Sequence, residues 1–351
     1  MPCEEQTRCL RLRDSRVGEN QSTRQLPLLR KRPDCSLSIF VIGMRGAGKT
    51  TTGRLIASVL SRVFLDLDHD LAARNGIACS EIVRLRGWEA FRQEELGVLS
   101  ESMQTRRTGF VISCGGGIVE TPEARQLLRQ WPGLVVQVSR DTEAVVDYLT
   151  VDKTRHAYTE QIQQVYERRK PFLEELSDAL YLSTQKQLEG RARAAPPQDL
   201  LCFLDRLYGP DCEDRAEQLL SKSQLQVRDV SAACQQQSTQ DDPRQNGAGV
   251  TIDLADNCDA LYLRATQDEC ADLDSLAVRI ARLRCNTLLP LVLSLEITRS
   301  PLPDLVLKQV CRLADRMRVE AVALPSSIEE HYENVLQSIC YFTRLVFLQD
   351  E

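Results

Sequence analysis

The chain has 351 residues, a length that predicts about two domains, each large enough to bury its own core. Hydrophobic and charged fractions of 42% and 27% are those of a globular protein. A formal net charge of -6 excludes general attraction to nucleic acid or to an anionic membrane, and no apolar run approaches the roughly 20 residues that span a bilayer.

Residues 1–35 are rich in arginine (Arg8, Arg11, Arg13, Arg16, Arg24, Arg30) but interrupted by Glu4, Glu5, Asp14 and Glu19. Transit peptides are poor in acids, so a disordered tail is expected. From Ser36 to about Ser183, short apolar runs alternate with helical patterns. "LSIFVIG" reads as a short buried strand, "VFLD", "GFVISC", "LVVQVS" and "ALYLS" as further strands, and Lys49–Leu60 as a helix with Leu55, Ile56, Val59 and Leu60 on one side. Strands apolar throughout and separated by helices predict an α/β fold over 36–184, a parallel sheet covered on both faces. Residues 185–249 are rich in Gln, Ser, Asp and Pro and read as a linker with one amphipathic helix, "DLLCFLDRLYG". Over 250–351 the alternation resumes with "DALYLRA", "LLPLVLSLEI", "VEAVALP" and "RLVFLQ" as strands and helices between them, including "SIEEHYENVLQSI". Three and a half βα units predict a half-barrel, since an eight-fold barrel needs about 250 residues.

Thirteen cysteines are scattered with no CxxC pair and no secretory h-region before them, which predicts free intracellular thiols. Cys114 has no base beside it in sequence and reads as a core residue. With only His69, His156 and His331, a histidine metal site is not expected.

The stretch Gly43-Met-Arg-Gly-Ala-Gly-Lys-Thr50 fits GxxxxGK[ST] between a strand and a helix. Glycines there let backbone amides turn toward phosphates, the helix N-terminus adds partial positive charge, Lys49 reaches the β and γ phosphates, and the Thr50 hydroxyl can ligate Mg2+. Asp66 and Asp68 of "DLDHD" stand at the end of a strand, either turned to the ligand crevice of an open sheet or capping the next helix. "GWEAFRQEE" puts Arg92 and Glu95 one turn apart, which by itself is a surface ion pair. Gly115, Gly116 and Gly117 directly after a strand weaken a fold unless something must approach the backbone closely. "DKTRHA" offers Arg155 in a polar segment suited to a lid over a γ-phosphate, and "ERRKP" offers Arg168 and Arg169.

"IGMRGAGKTTTG", "FLDLD", "RGWEAFRQEE", "CGGGIVETPEAR", "RDTEAVVDYL", "DKTR" and "RRKP" resemble, in order over about 36–184, the shikimate kinases, and most closely the kinase segment of the fungal pentafunctional shikimate-pathway polypeptide. The resemblance implies a P-loop kinase that uses ATP and Mg2+ to phosphorylate a hydroxyl of shikimate in aromatic amino-acid biosynthesis, in the cytoplasm. It assigns ATP binding to Gly43, Arg45, Gly46, Ala47, Gly48, Lys49, Thr50, Thr51 and the lid residue Arg155. Catalysis is assigned to Asp66, Lys49 and Arg155, and the metal to Thr50 and Asp66. The substrate falls to Asp68, Arg92, Gly115, Gly116, Gly117 and Arg169. His156 replaces the family's usual proline after the lid arginine, which predicts looser closure. Leu173 replaces a common tyrosine and reads as packing.

Residues 250–351 resemble the front half of a type I dehydroquinase through "CDALYLRA" and "LLPLVLSLEIT". Tyr262 replaces the family's carboxylate before Arg264, Glu296 replaces an arginine, and "VALPSS" lacks the expected acid. The Schiff-base lysine and its histidine do not occur in the chain, so no dehydration activity is expected. A kinase-like domain followed by an inactive dehydroquinase-like one also resembles the fungal quinate-pathway repressor. That resemblance implies a metabolite sensor that binds a transcription activator, with a nuclear location. A half-barrel left alone exposes apolar edges, which predicts homodimerisation or docking.

Overall fold

A computed structural model of the chain describes residues 7–14, 33–140, 162–183, 196–209, 214–232, 258–285, 287–297, 302–328 and 342–349. The chain divides into two compact units, one of Lys31–Ser183 with Ala192–Leu200, the other of Met1–Arg30, Thr184–Arg191 and Leu201–Glu351. The first described elements, β1 (Thr7–Leu10) and β2 (Leu12–Asp14), belong to the second unit.

The first unit is an α/β layer structure around five parallel strands. In chain order come β3 (Ile39–Ile42), α1 (Lys49–Val59), β4 (Val63–Asp66), α2 (Leu67–Asn75), α3 (Cys79–Thr105), β5 (Phe110–Ser113), α4 (Pro122–Gln130), β6 (Val135–Arg140), α5 (Ile162–Leu176) and β7 (Ala179–Ser183). The sheet order is β4-β5-β3-β6-β7, so the strand that leads into the glycine-rich loop is central. Every residue of β3 is buried, as the apolar run predicts for a strand covered on both faces. Phe40, Ile42, Leu99, Ile112, Ile118, Leu128 and Leu176 join one core, and Leu173 lies in it, as its reading as packing requires.

One local reading changes. The buried face of α1 is Thr52, Gly53, Ile56 and Ala57, while Val59 is exposed. Gly53 is the reason: a Cβ there would sit 2.6 Å from the Phe64 ring, so the helix turns its smallest residue to β4 and approaches closely. Gly43 has a similar constraint. Its φ is +150°, and a Cβ would lie 2.3 Å from the Val138 carbonyl oxygen of β6. Gly43→Ala is expected to cost about 1–3 kcal/mol, since backbone must move to admit the methyl group, and the midpoint of urea unfolding measures it.

In the second unit the sequence reading needs three corrections. The N-terminal tail is not disordered throughout, because Thr7–Asp14 forms β1 and β2. The 185–249 linker contains more than its expected helix, which forms as α6 (Gln198–Tyr208); α7 (Arg215–Leu220) and β8 (Leu225–Asp229) follow it. The half-barrel is not open. Beyond β8 come β9 (Ala260–Thr266), α8 (Gln267–Ala271), α9 (Leu273–Arg284), β10 (Leu291–Glu296), α10 (Asp304–Arg316), β11 (Ala321–Pro325) and β12 (Arg344–Leu348). Strands β8 to β12 are parallel neighbours in chain order. At one end β1 runs antiparallel to β8, from Thr7↔Arg228 to Leu10↔Leu225; at the other β2 runs antiparallel to β12, from Leu12↔Leu348 to Asp14↔Val346. Only Arg11 separates β1 from β2, and its carbonyl accepts the Gln349 N–H at 3.1 Å. One extended segment therefore joins both edges, and the sheet closes on itself.

The cause lies in side-chain alternation. Leu225 and Val227, Ala260 and Tyr262, Val292, Ala321 and Ala323, and Val346 form a single cluster with Leu10 and Leu12 against it. Residues two apart share a face of a strand, so every strand contributes its inward face to one interior. The unpaired edges on which homodimerisation was expected are covered by the chain's own N-terminal segment. The expected helix "SIEEHYENVLQSI" lies mostly outside the described residues.

Candidate functional site

The strand-to-helix turn after β3 takes a left-handed path at two glycines, Gly46 at φ +84° and Gly48 at φ +89°. Gly48 is the N-cap of α1 and leaves its first-turn amides without a side-chain cap. Such amides, aimed off a helix N-terminus, suit phosphate oxygens. Lys49 curls back so that Nζ donates to the Met44 carbonyl at 3.0 Å. Ala47 is buried beneath the turn, while Thr51 is exposed on the first turn of α1.

Thr50 Oγ1 donates to Asp66 Oδ2 at 2.7 Å, which joins the loop to the end of β4. Asp66 is also the N-cap of α2, its Oδ1 accepting the Asp68 N–H at 3.1 Å. The capping reading thus holds for Asp66, whose other oxygen meets the Thr50 hydroxyl. Because β4 ends at Asp66, Asp68 sits on the first turn of α2 and does not alternate to the opposite face.

The three glycines after β5 each make room for a different neighbour. A Cβ at Gly115 would lie 2.2 Å from Glu95 Oε1 and 2.8 Å from Asp68 Oδ1; at Gly116, 3.0 Å from the Arg45 backbone nitrogen; at Gly117, 2.1 Å from Arg92 Nη2. The turn therefore lies against Asp68 and Glu95, the phosphate-type loop and an arginine at once.

Arg92 and Glu95 are not a surface pair. Glu95 is 3% exposed, and its Oε2 accepts from Arg92 Nη1 at 2.6 Å, while Oε1 has no hydrogen-bond partner among the described residues. Burial is the largest influence on the Glu95 carboxyl and pushes its pKa up, against the charge and hydrogen bond of Arg92. The kink in α3 at Gly87 (φ +83°) precedes the turn that carries Trp88 and Arg92, whose guanidinium lies 5.3 Å from the Trp88 ring.

Arg169 is buried, donating from Nη1 to the Gly116 carbonyl at 3.1 Å and from Nη2 to Glu120 Oε2 at 3.0 Å. Arg168 is half-exposed and donates to Glu120 Oε1 at 2.7 Å. Sequence reasoning did not single out Glu120; the one signal was its place at the end of "CGGGIVE". Burial works against ionisation of Glu120 and is the largest single influence, but hydrogen bonds from Arg169 and Arg168, with the charges of Arg169 and Arg92, outweigh it and bring the carboxyl down to about 2. A depressed folded-state pKa stabilises the fold above the ordinary carboxylate value and loses that contribution as pH falls toward the depressed one. Wild type is thus expected to lose more stability than Glu120→Gln between about pH 4.5 and pH 2, measured by urea midpoints across that window.

Cys114 is buried with its thiol pushed up mainly by burial, as a core residue should be. Arg155 and His156 lie outside the described residues. In the second unit, Arg264 is an ion-pair partner of Asp229 at 3.1 Å and of Glu296 at 3.3 Å, and Tyr262 is buried. Among the described residues, no helix is long and apolar enough to cross a membrane.

Residues 45–198, a little under half of the chain, match the family model described as SKI: Shikimate kinase. Similar solved structures include shikimate kinase from Acinetobacter baumannii in complex with shikimate, at 29% identity over 49% of this chain and 92% of that one, with a TM-score of 0.41. Shikimate kinase from Bacteroides thetaiotaomicron matches at 26% identity over 49% and 97%, with a TM-score of 0.42, and that from Aquifex aeolicus at 23% over 49% and 99%, with 0.39.

Proposed function

We propose that the shikimate kinase domain of this chain transfers the γ-phosphoryl group of ATP to a hydroxyl of shikimate, giving shikimate 3-phosphate. The observation that carries the reading is the close approach of Gly116 to the Arg45 backbone, which sets an arginine- and acid-lined turn directly against a phosphate-type loop. Donor and acceptor need that adjacency, because phosphoryl transfer is mostly a matter of positioning and charge.

In this reading the turn from Gly43 to Gly48 cradles the ATP phosphates, with Lys49 released from Met44 to meet them. Thr50 and Asp66 are the residues that would hold Mg2+; their convergence to 2.7 Å makes the donor set one of hard oxygens. Held there, Mg2+ would supply positive charge to offset the negative charge of the phosphates. Asp66 also accepts the proton of the reacting hydroxyl, and Asp68 holds a neighbouring hydroxyl. Arg92 and Arg169 receive the substrate carboxylate, while Gly115, Gly116 and Gly117 leave backbone free to face the substrate. Arg155 brings a further cation to the transferring group.

The second unit is proposed to be without dehydroquinase activity. Arg264 is answered by Asp229 and by Glu296 where the resemblance expects an arginine, so its charge is spent within the unit. That observation favours a second reading, a sensor of pathway metabolites that acts on a transcription activator without turnover. ADP release measured with purified chain, ATP, Mg2+ and shikimate decides between them: shikimate-dependent release supports the kinase, and tight shikimate binding without release supports the sensor.

A further inference from the structure

Glu120 has no part in the reading above, and phosphoryl transfer itself does not call for a carboxylate there. It ends the 3-10 turn Ile118–Glu120 that follows the three glycines. Its Oε2 accepts from Arg92 Nη2 at 3.2 Å and from Arg169 Nη2 at 3.0 Å, and its Oε1 accepts from Arg168 Nε at 3.2 Å and Nη2 at 2.7 Å. One side chain thus ties α3, which carries Arg92, to α5, which carries Arg168 and Arg169. Three guanidinium groups gathered this closely repel one another, and each long side chain has rotamer freedom to lose before it can grip a ligand. A carboxylate between them offsets both costs before any substrate arrives. The remaining hands of the pair are also held, Arg92 Nη1 by Glu95 Oε2 and Arg169 Nη1 by the Gly116 carbonyl.

We propose that Glu120 is a positioning residue for the acceptor: its carboxylate fixes Arg92 and Arg169 as a preformed pair for a carboxylate-bearing substrate. The inference rests on the kinase reading and adds to it the group that makes the clamp rigid. It acts through the arginines and not on the reacting atoms, so it predicts an effect confined to one substrate.

The test uses the full chain and the variants Glu120→Gln and Glu120→Asp. For Glu120→Gln, KM for shikimate is expected to rise about tenfold, the ratio that loss of one charge-assisted hydrogen bond gives, while KM for ATP and kcat stay within about twofold. Quenching of Trp88, beside Arg92, reads shikimate affinity without ATP and is expected to weaken by the same factor. Glu120→Asp, which keeps the charge but reaches less far, is expected to fall between. It carries the comparison alone if Glu120→Gln does not fold. Unchanged shikimate affinity overturns the proposal, as does an equal loss for both substrates, which marks a merely structural role. Tighter shikimate binding also overturns it, since Glu120 would then be a competitor for the arginines. Should wild type turn over while Glu120→Gln binds shikimate normally, the positioning role falls and the kinase stands. If shikimate binding weakens in the variant but no form turns over, the kinase falls and the positioning role stands. If wild type neither binds nor turns over, both fall.

Discussion

Lys49→Ala is expected to lower shikimate-dependent ADP release by a hundred- to a thousandfold or more, about the loss seen when one preorganised charge donor is removed from a transition state. The lysine opens α1 at a helix N-terminus that has no side-chain cap, and its ammonium brings a full positive charge to that turn. Its bond to the Met44 carbonyl is a resting contact, half-buried and easily exchanged for a phosphate. The fold should survive, because the bond to the Met44 carbonyl is part-buried and water can take its place, so circular dichroism and the urea midpoint are expected to stay near wild type. Activity retained within tenfold in a folded Lys49→Ala would remove the loop from the chemistry.

Deleting residues 1–14 is expected to open the closed sheet of the second unit. The deletion removes the backbone partners of β8 and β12 at once and uncovers the side of the interior that Leu10 and Leu12 cover. Each leucine is half-buried, worth roughly 1–2 kcal/mol of apolar burial, and the two newly bare strand edges are templates for pairing with another chain. The expected result is loss of amide-exchange protection in β8 and β12, with concentration-dependent self-association in sedimentation. Unchanged protection and a monomer at every concentration would mean that the segment is not needed for closure.

The first unit was legible because its signals are local and strong. "VFLD" and "ALYLS" are the strands β4 and β7 residue for residue, although β4 lies at the sheet edge, where Val63 is exposed and the rest of the strand only part-buried. The loop was legible for the same reason, its glycines standing where the backbone turns left-handed. What the sequence hid was relational. "CLRLRD" alternates correctly for a strand, but six residues among many arginines carry no sign that their partners lie more than 200 positions away. Strand β8 was hidden by the Gln- and Ser-rich stretches around it, though Leu225 and Val227 alternate as β9 does. The burial of Glu95 could not be read from its spacing to Arg92, because a helix presents the same i, i+3 pair to solvent or to a core. Glu120 was hidden because its partners come from two other helices, and no spacing in the sequence records that meeting.

The measurement that tests the account most directly is mass spectrometry of shikimate incubated with the full chain, ATP and Mg2+, beside the same incubation with Asp66→Asn. The account predicts that shikimate gains one phosphoryl group with wild type and that the gain is lost or slowed at least a hundredfold with the variant. Unmodified shikimate after prolonged incubation with folded, ATP-binding wild type would contradict it.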